Sequence, residues 1–324
     1  MKLGFFLEDR FLYIITSSKK GSNALIYLYP RLSELDFMFI RLGGAGLGNI
    51  LFPYVRAVLY QKSHPDTQLI WPTWFNVKVG PIIHRDIDKR FYNDLFVNNS
   101  GYIDGFQKAW ILMTRKHISE KELLEGKALP ECVVEFTGME NCFEGMMDDS
   151  QVLLDNLVAN LNPKNKAALE FDGSRGITMH IRLGDFARAT WEEVKQGKHN
   201  SSIPIEWYVT MAQELRSIIG AETPVYVFSD GTDEELRPLL ELGNVERVTF
   251  GSSIGDVLAL SRAKLLVASG SSFSMWARYL GRMTTVMFPN QVKQKILTDQ
   301  DSTREITALD KIGEEDGAFI KESW

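Results

Sequence analysis

The sequence predicts an α/β protein built on parallel sheets, and three observations carry that prediction. Short apolar runs alternate with amphipathic segments along most of the chain. Several of these runs stop at clusters of Gly, Ser, Asp or Arg, the residues found where a strand feeds a ligand-side loop. The chain has 324 residues, which at roughly 150 residues per domain is about two domains. Its composition, 44% hydrophobic and 24% charged, supplies apolar material for two cores. That balance excludes a disordered chain, a collagen-like repeat and a small disulfide-stapled scaffold.

The elements follow in order. Phe37 to Leu42 has the apolar character of a buried strand. A glycine-rich turn and a helix from Asn49 to Lys62 come next, then a strand from Gln68 to Trp71. Residues 72–130 are less regular. Val133 to Thr137 is a strand and Ser150 to Leu161 a helix, with Ser150 as its N-cap. Pro, Lys and Gly punctuate Asn162 to Arg175, which marks the domain junction. Beyond it five strands are expected, at Gly176 to Ile181, Val225 to Phe228, Val245 to Phe250, Leu265 to Ala268 and Thr284 to Phe288. Four helices fall between them, at Ile205 to Ile219, Asp233 to Leu242, Gly255 to Arg262 and Phe273 to Leu280. That series predicts a Rossmann-like domain. The expected division is an N-terminal extension over residues 1–36, a first domain over 37–165, a second over 170–290 and a tail over 291–324.

Lys plus Arg number 36 against 42 Asp plus Glu, a formal charge of −6 that argues against a nucleic-acid partner. Cys132 and Cys142 form neither a CxxC nor a zinc framework, and fit reduced thiols. No run of about 20 apolar residues is present to span a bilayer. Leu3 to Thr16 is broken by Glu8, Asp9 and Arg10, unlike a signal peptide. The expectation is a cytoplasmic protein, associated with a membrane at most peripherally.

Four motifs could carry chemistry. Gly43-Gly44-Ala45-Gly46-Leu47-Gly48-Asn49 lies between a strand and a helix. It is either a tight turn or a loop whose N–H groups meet an anion at the helix start. The dinucleotide fingerprint is broken at Asn49, and the Walker lysine is missing. His180-Ile181-Arg182-Leu183-Gly184-Asp185-Phe186 ends a strand. His180 and Arg182 project to one side of an extended chain. Arg182 is either a bidentate phosphate clamp or half of an ion pair with Asp185. Ser269-Gly270-Ser271-Ser272-Phe273-Ser274 enters a helix, offering hydroxyls and N–H groups to a phosphate or serving as an N-cap. Val225 to Gly231 ends in Asp230, which binds a ligand or forms an Asx turn.

Together these motifs resemble the alpha-1,2-fucosyltransferase (GT11-like) family. GGAGLGN followed by Phe52 and Tyr54 resembles its GGLGNQxFxY, HIRLGDF its HxRRGDY, VFSDG its FSDD, and SGSSFSMWARYL its SNSTFSWWAAWL. Order and spacing match across roughly residues 37–290. Asp256 to Ser274 also resembles the corresponding stretch of alpha-1,6- and protein O-fucosyltransferases. The resemblance implies a GT-B fold, two Rossmann-like domains facing each other across a cleft, with the acceptor on the first and the donor on the second. It implies GDP-fucose as donor, a glycan acceptor, inversion at the anomeric carbon and no required metal or other cofactor. Arg182 matches the arginine that holds the donor β-phosphate, and Ser272, Phe273 and Ser274 match the diphosphate contacts. Asp256 falls where relatives recognise guanine, Asp230 lies in the nucleotide-side SDD motif, and Gly46, Gly48 and Asn49 match GGLGN near fucose and acceptor. Leu183, Gly231, Ile50 and Met275 depart from the motifs, and Ala45 is extra.

Inverting transfer needs a base for the acceptor hydroxyl. Asp185 and His180 are the candidates, Asp185 being alternatively a partner that orients Arg182. Glu192 and Glu193 lie beyond. Asp86-Ile87-Asp88 forms a DxD, read as a solvated face rather than a manganese site. Trp71, Trp74 and Phe75 are either sugar-stacking platforms or core. A different nucleotide-sugar donor, or a non-catalytic nucleotide- or glycan-binding member, remains open beside the fucosyltransferase reading.

Overall fold

The computed structural model describes residues 25–77, 91–184, 186–198, 201–292, 294–297 and 302–324. In chain order the first unit holds β1 (Ile26–Pro30), β2 (Leu35–Asp36), β3 (Arg41–Leu42), α1 (Leu47–Ser63), β4 (Thr67–Leu69) and β5 (Asn76–Val77). It continues through α2 (Gly105–Thr114), β6 (His117–Ser119), α3 (Glu120–Leu124), β7 (Val133–Phe136) and α4 (Ser150–Ala159). Two 3-10 segments, Pro163–Glu170 and Gly173–Arg175, lead into the second unit. That unit holds β8 (Ile177–Ile181), β9 (Ala187–Arg188), α5 (Trp191–Lys195), β10 (Ser201–Ser202), α6 (Ile205–Ile219) and β11 (Val225–Ser229). It ends with α7 (Asp233–Leu240), β12 (Val245–Arg247), α8 (Ser253–Leu260), β13 (Leu265–Ala268), α9 (Ser272–Gly281), β14 (Thr284–Met287), β15 (Glu305–Thr307) and α10 (Glu314–Ser323).

Among the described residues, the first unit is organised by a parallel sheet in the order β4-β1-β7-β6. The second is organised by a parallel sheet in the order β12-β11-β8-β13-β14-β15. Numbered within its own unit, that second order is 3-2-1-4-5-6, the Rossmann arrangement, and the chain is α/β as expected. Helices cover both faces of such a sheet, so its central strands need apolar residues throughout. Every residue of β8, β13 and β14 is buried. α6 buries Trp207, Tyr208, Met211, Ala212 and Leu215 at helical spacing.

Three expectations are corrected. Phe37 to Leu42 is not a buried strand: β2 and β3 form a short antiparallel pair whose intervening Phe37, Phe39 and Ile40 are exposed. The sheet strand is β1, which lies in the segment set apart as an extension. A run of apolar residues without positional context does not say which of two neighbouring segments gets covered. Residues 291–324 are likewise not outside the fold. β15 pairs with β14, giving a sixth strand, and Ile306, Ala308, Ile312 and Ile320 are buried in the same core as β8. Ser150 sits inside α4 with αR geometry, and the capping position belongs to Asp149.

The two units share one apolar cluster, and α9 is the element that joins them. It belongs to the second sheet by connectivity but packs against α1, α4 and α8. Trp276 lies 4.8 Å, ring centre to ring centre, from both Phe52 and Phe143, and Phe143 stacks on Tyr279 at 4.6 Å. The Trp276 indole N–H donates to the Gly48 carbonyl at 2.5 Å, and the Tyr279 hydroxyl donates to the Met146 carbonyl at 2.5 Å.

The tail fixes the same helix from its other side. Arg278 on α9 pairs with Glu305 on β15, their side chains 4% and 7% exposed. Glu305 also accepts from the Ile296 N–H at 3.0 Å. Breaking a buried pair strands one charge, so Glu305→Gln should lower unfolding stability by about 3–5 kcal/mol. The double variant Arg278→Met/Glu305→Leu should recover most of that in denaturant titrations. A double variant as unstable as the single would show that the pair itself is not the source.

Candidate active site

In an open parallel sheet, ligands bind beyond the strand ends where the strand order reverses. In the second sheet that point is β8, flanked by β11 and β13. The ends of these three strands deliver His180 to Leu183, Ser229 to Gly231 and Ser269 to Ser274 to one place. The glycine loop of the other unit arrives opposite them.

Ser271 is the N-cap of α9, accepting the Ser274 N–H at 3.3 Å. Capping does not exhaust the serines. Ser269 Oγ lies 3.0 Å from Ser271 Oγ, 2.9 Å from Ser274 Oγ and 3.1 Å from His180 Nδ1, and Ser274 Oγ lies 2.6 Å from the same nitrogen. The His180 ring stacks on Phe273 at 4.9 Å. Burial pushes the His180 pKa well down; nearby Asp230 opposes this and Arg182 reinforces it. The imidazole is therefore neutral and enclosed in a hydroxyl network, supporting the first turn of α9. That turn carries the positive end of the helix dipole, with the Ser274 N–H already taken by Ser271.

Arg182 leaves the end of β8 and meets Asp230, Nη1 to Oδ2 at 2.6 Å, with its guanidinium 5.5 Å from the centre of the Phe186 ring. The other Asp230 oxygen accepts the Leu183 N–H at 2.8 Å. Asp230 thus clamps the turn after β8, and an added Cβ at Gly184 would overlap its carboxylate. The Asx-type turn expected of Asp230 is made by Ser229, whose hydroxyl accepts the Gly231 N–H at 3.0 Å. Asp185 lies outside the described residues, so the described partner of Arg182 is Asp230. Two departures from the family motifs turn out to be neighbours: a Cβ at Gly231 would lie 2.5 Å from Leu183 Cδ1.

Across from this cluster, Asn49 Oδ1 accepts the Ser272 hydroxyl at 2.6 Å. A Cβ at Gly48 would stand 2.6 Å from Ser272 Oγ and 3.0 Å from the Phe273 nitrogen, so only glycine permits this approach. Gly46 caps α1 with extended backbone and no side-chain acceptor. The N–H of Leu47, next in the chain, goes to the Tyr92 hydroxyl at 3.2 Å. Beneath the loop lies Arg41, fully buried, donating to the Gly43 carbonyl at 3.1 Å with its pKa pushed down by burial to about 10. Sequence reasoning missed Arg41 because it read the segment as a plain apolar strand.

The structure brings together Gly48, Asn49, His180, Arg182, Asp230, Ser272, Phe273 and Ser274, whereas Gly46 serves as the N-cap of α1 with nothing within 4 Å of where its side chain would stand. Asp256 is differently engaged, Oδ1 accepting the Phe250 N–H at 2.6 Å from the first turn of α8. Trp71 and Trp74 are core, packed around Tyr54 and, for Trp74, Phe96, and do not face the site. Asp86 and Asp88 lie outside the described residues. Trp276, the residue that fastens the glycine loop to α9, went unremarked in the sequence although it shares a helix face with Tyr279.

No protein-family model matches the chain, and no curated protein matches it. The chain is similar to a solved structure of NodZ alpha-1,6-fucosyltransferase co-crystallized with GDP, at 14% identity over 82% of this chain and 95% of that one, TM-score 0.48. It is also similar to POFUT1 in complex with GDP, at 13% identity over 83% and 99%, TM-score 0.43. A third is E. coli heptosyltransferase WaaC with ADP, at 14% identity over 93% and 100%, TM-score 0.40.

Two outcomes follow for the site. Gly231→Asp should destabilise the fold by about 1–3 kcal/mol through overpacking against Leu183. Leu183→Ala should offset part of that loss, a coupling readable in a double-mutant cycle; strict additivity would mean the residues do not share space. His180 has its folded pKa depressed, so the unfolded chain binds the extra proton as pH falls below the ordinary imidazole value of 6.5. Stability should then decline by about 1.4 kcal/mol per pH unit from this group. His180→Asn should remove that component of the acid limb in urea titrations from pH 7 to pH 4; an unchanged slope would mean His180 is not held neutral.

Proposed function

We propose that the chain is a GT-B-type glycosyltransferase, inverting and metal-independent, that moves L-fucose from GDP-fucose to a hydroxyl of a glycan acceptor. An alpha-1,2 linkage is the first expectation from the motifs. One observation carries the reading: Asn49 and Gly48 of one unit are in direct contact with Ser272 and Phe273 of the other, so the motifs that resemble the family's assemble into a single site. Beside it stand a guanidinium and the N-terminus of α9.

In inverting transfer the acceptor oxygen attacks the anomeric carbon while the bond to the GDP oxygen breaks, and negative charge grows on the departing diphosphate. Fixed donors stabilise that charge best because they need no reorganisation. Arg182, held in place by Asp230, and the Ser272 and Phe273 N–H groups at the start of α9 are such donors. His180 and the three serines position that turn. Asp185 is our choice for the base that takes the acceptor proton, since the His180 ring is enclosed by Ser269, Ser274 and Phe273 and is kept from an acceptor hydroxyl. The free thiols Cys132 and Cys142 fit a cytoplasmic setting.

Among the described residues no helix is long and apolar enough to cross a membrane. The alternative reading, another nucleotide-sugar donor, is tested on the nucleotide. A thermal-shift comparison of GDP, UDP, ADP and CMP separates the two readings, and selective stabilisation by GDP is expected through linkage. Arg182→Ala should lower transfer by about 10²–10³-fold. Arg182→Lys should restore little, having lost bidentate geometry. Activity should survive EDTA; loss in EDTA and recovery with Mn²⁺ would overturn metal independence. Asp185→Asn should abolish the acid limb of the pH–rate profile, where protonation silences a carboxylate base, and a retained acid limb removes Asp185 as base.

A further inference from the structure

Among the described residues, the first unit leaves an apolar face open. α2 turns Lys108, Ala109 and Ile111 inward and keeps Phe106, Trp110 and Met113 outside, 93%, 63% and 65% exposed. Their spacing of four and three residues puts all three on one side of the helix. The helix is fixed to what lies beneath it. Asp104 caps its start, accepting the Gly105 N–H at 2.8 Å, and the buried Lys108 ammonium donates to Thr73 Oγ1 at 2.9 Å. Thr73 in turn donates to the Met38 carbonyl at 2.9 Å, so the turn between β2 and β3 lies beside α2. That turn leaves Phe37, Phe39 and Ile40 exposed as well. Large apolar side chains scattered singly over a surface are ordinary, but six on two neighbouring elements form a patch.

We infer that this face docks on a bilayer containing anionic lipid, with Phe106 and Trp110 entering the boundary between headgroups and acyl chains. The inference uses no residue of the candidate site and stands apart from the donor reading. Two features select a bilayer as the occupant. The first is charge. The chain leaves α2 through Arg115, Lys116 and His117, and residues 105–119 hold no Asp or Glu, in a chain whose formal charge is −6. Three cations, Arg31, Arg115 and Lys116, stand there against two carboxylates: Glu131 pairs with Arg115 and Glu135 with Arg31, while the exposed Lys116 has no ion pair among the described residues. Asp36, the acid nearest the turn, is taken up by the Tyr29 hydroxyl at 2.7 Å and the Met38 N–H at 2.9 Å. A basic edge beside an apolar stripe matches anionic headgroups over hydrocarbon. The second feature is shape. Phe106 protrudes, and a protein partner would have to offer it an apolar pocket. The cavity bordered by its neighbours Asp104 and Gln107 is lined also by Gln61, Gln68 and Tyr102, polar groups unsuited to a phenyl ring, which argues against a second copy of this chain. A fluid bilayer admits a protruding ring without a matching pocket. β3 runs from this face directly into the glycine loop, so docking sets the candidate site beside the headgroups.

The test is co-sedimentation of the full chain with sucrose-loaded vesicles of phosphatidylcholine, alone or mixed with phosphatidylglycerol. The chain should pellet with the anionic vesicles, and less so as salt rises. Phe106→Ser/Trp110→Ser, at positions too exposed to support the fold, should weaken that binding by about tenfold or more with an unchanged Tm. Lys116→Glu should weaken binding to the anionic vesicles specifically. Lipids with brominated acyl chains should quench Trp110, and Trp110→Phe should bind nearly as well while losing that quenching. The quenching comparison decides the matter if the double serine variant proves unstable. Failure to pellet with anionic vesicles, equal binding by the double variant, or the same quenching in Trp110→Phe overturns the inference. A dimer that the double variant converts to monomer, without vesicle binding, assigns the face to a second copy and overturns it equally.

Discussion

The packing of α9 into the first unit is the constraint on which the rest of the molecule depends. Its body supplies Trp276 and Tyr279 to a cluster with Phe52 and Phe143, and its first turn supplies Ser272 and Phe273 to the site. Each buried aromatic ring contributes of the order of 2 kcal/mol. The contact between the units is therefore part of the core and not a surface apposition. A ligand held at the start of α9 is bound by an element that both units fix. The tail is drawn into the same constraint, because Glu305 on the edge strand holds Arg278 on that helix. Position at the site is set by core packing well away from it.

Electrostatics at the site follow from what is charged and what is not. His180 is kept neutral by burial, so it adds no charge beneath the helix start. The formal charge of the whole chain, −6, says little about this spot. What matters locally is a guanidinium and a helix dipole, with Asp230 taking one edge of the former. That pairing partly neutralises Arg182, and in return it restricts a long side chain to one arrangement. For a group meant to meet a developing diphosphate charge, order gained before the reaction counts for more than the charge screened.

Much of this was legible in the sequence, and the exceptions have physical causes. In the second unit the five strands and four helices expected between residues 176 and 288 are present within a few residues of their expected bounds, while β9, α5 and β10 were not foreseen. α6 and β13 fall where expected because a buried parallel strand and an amphipathic helix leave unambiguous periodic patterns. The segment from Phe37 to Leu42 misled because Phe37, Phe39, Ile40 and Leu42 are apolar yet exposed while the charged Arg41 is buried, and exposure is decided by what lies above a residue. The tail was missed because β15 is only three residues long and acquires its meaning from pairing with β14. At the candidate site, strand-end positions singled out Arg182 and the serines, and the motif resemblance singled out Asn49. Partners could not be read: that Arg182 meets Asp230, that His180 lies among hydroxyls, or that Trp276 reaches Gly48, depends on which strand neighbours which.

Glycines separate demands of stability from demands of the site. A glycine within a helix costs about 0.5–1 kcal/mol relative to alanine. Gly48 sits in the first turn of α1, where α1 itself would be better served by alanine. Its reason lies across the interface, since a methyl group there would collide with Ser272 and with the backbone of Phe273. Gly184 makes the same argument within the second unit, where Asp230 occupies the space a side chain would need. Leu183 and Gly231 differ, for their complementarity is apolar and buried, and core packing alone accounts for it. The two departures from the motif thus read as one compensated exchange inside the fold. The contacts of Gly48 and Gly184 serve the placement of Ser272, Phe273 and Arg182, the groups on which any chemistry at this site depends.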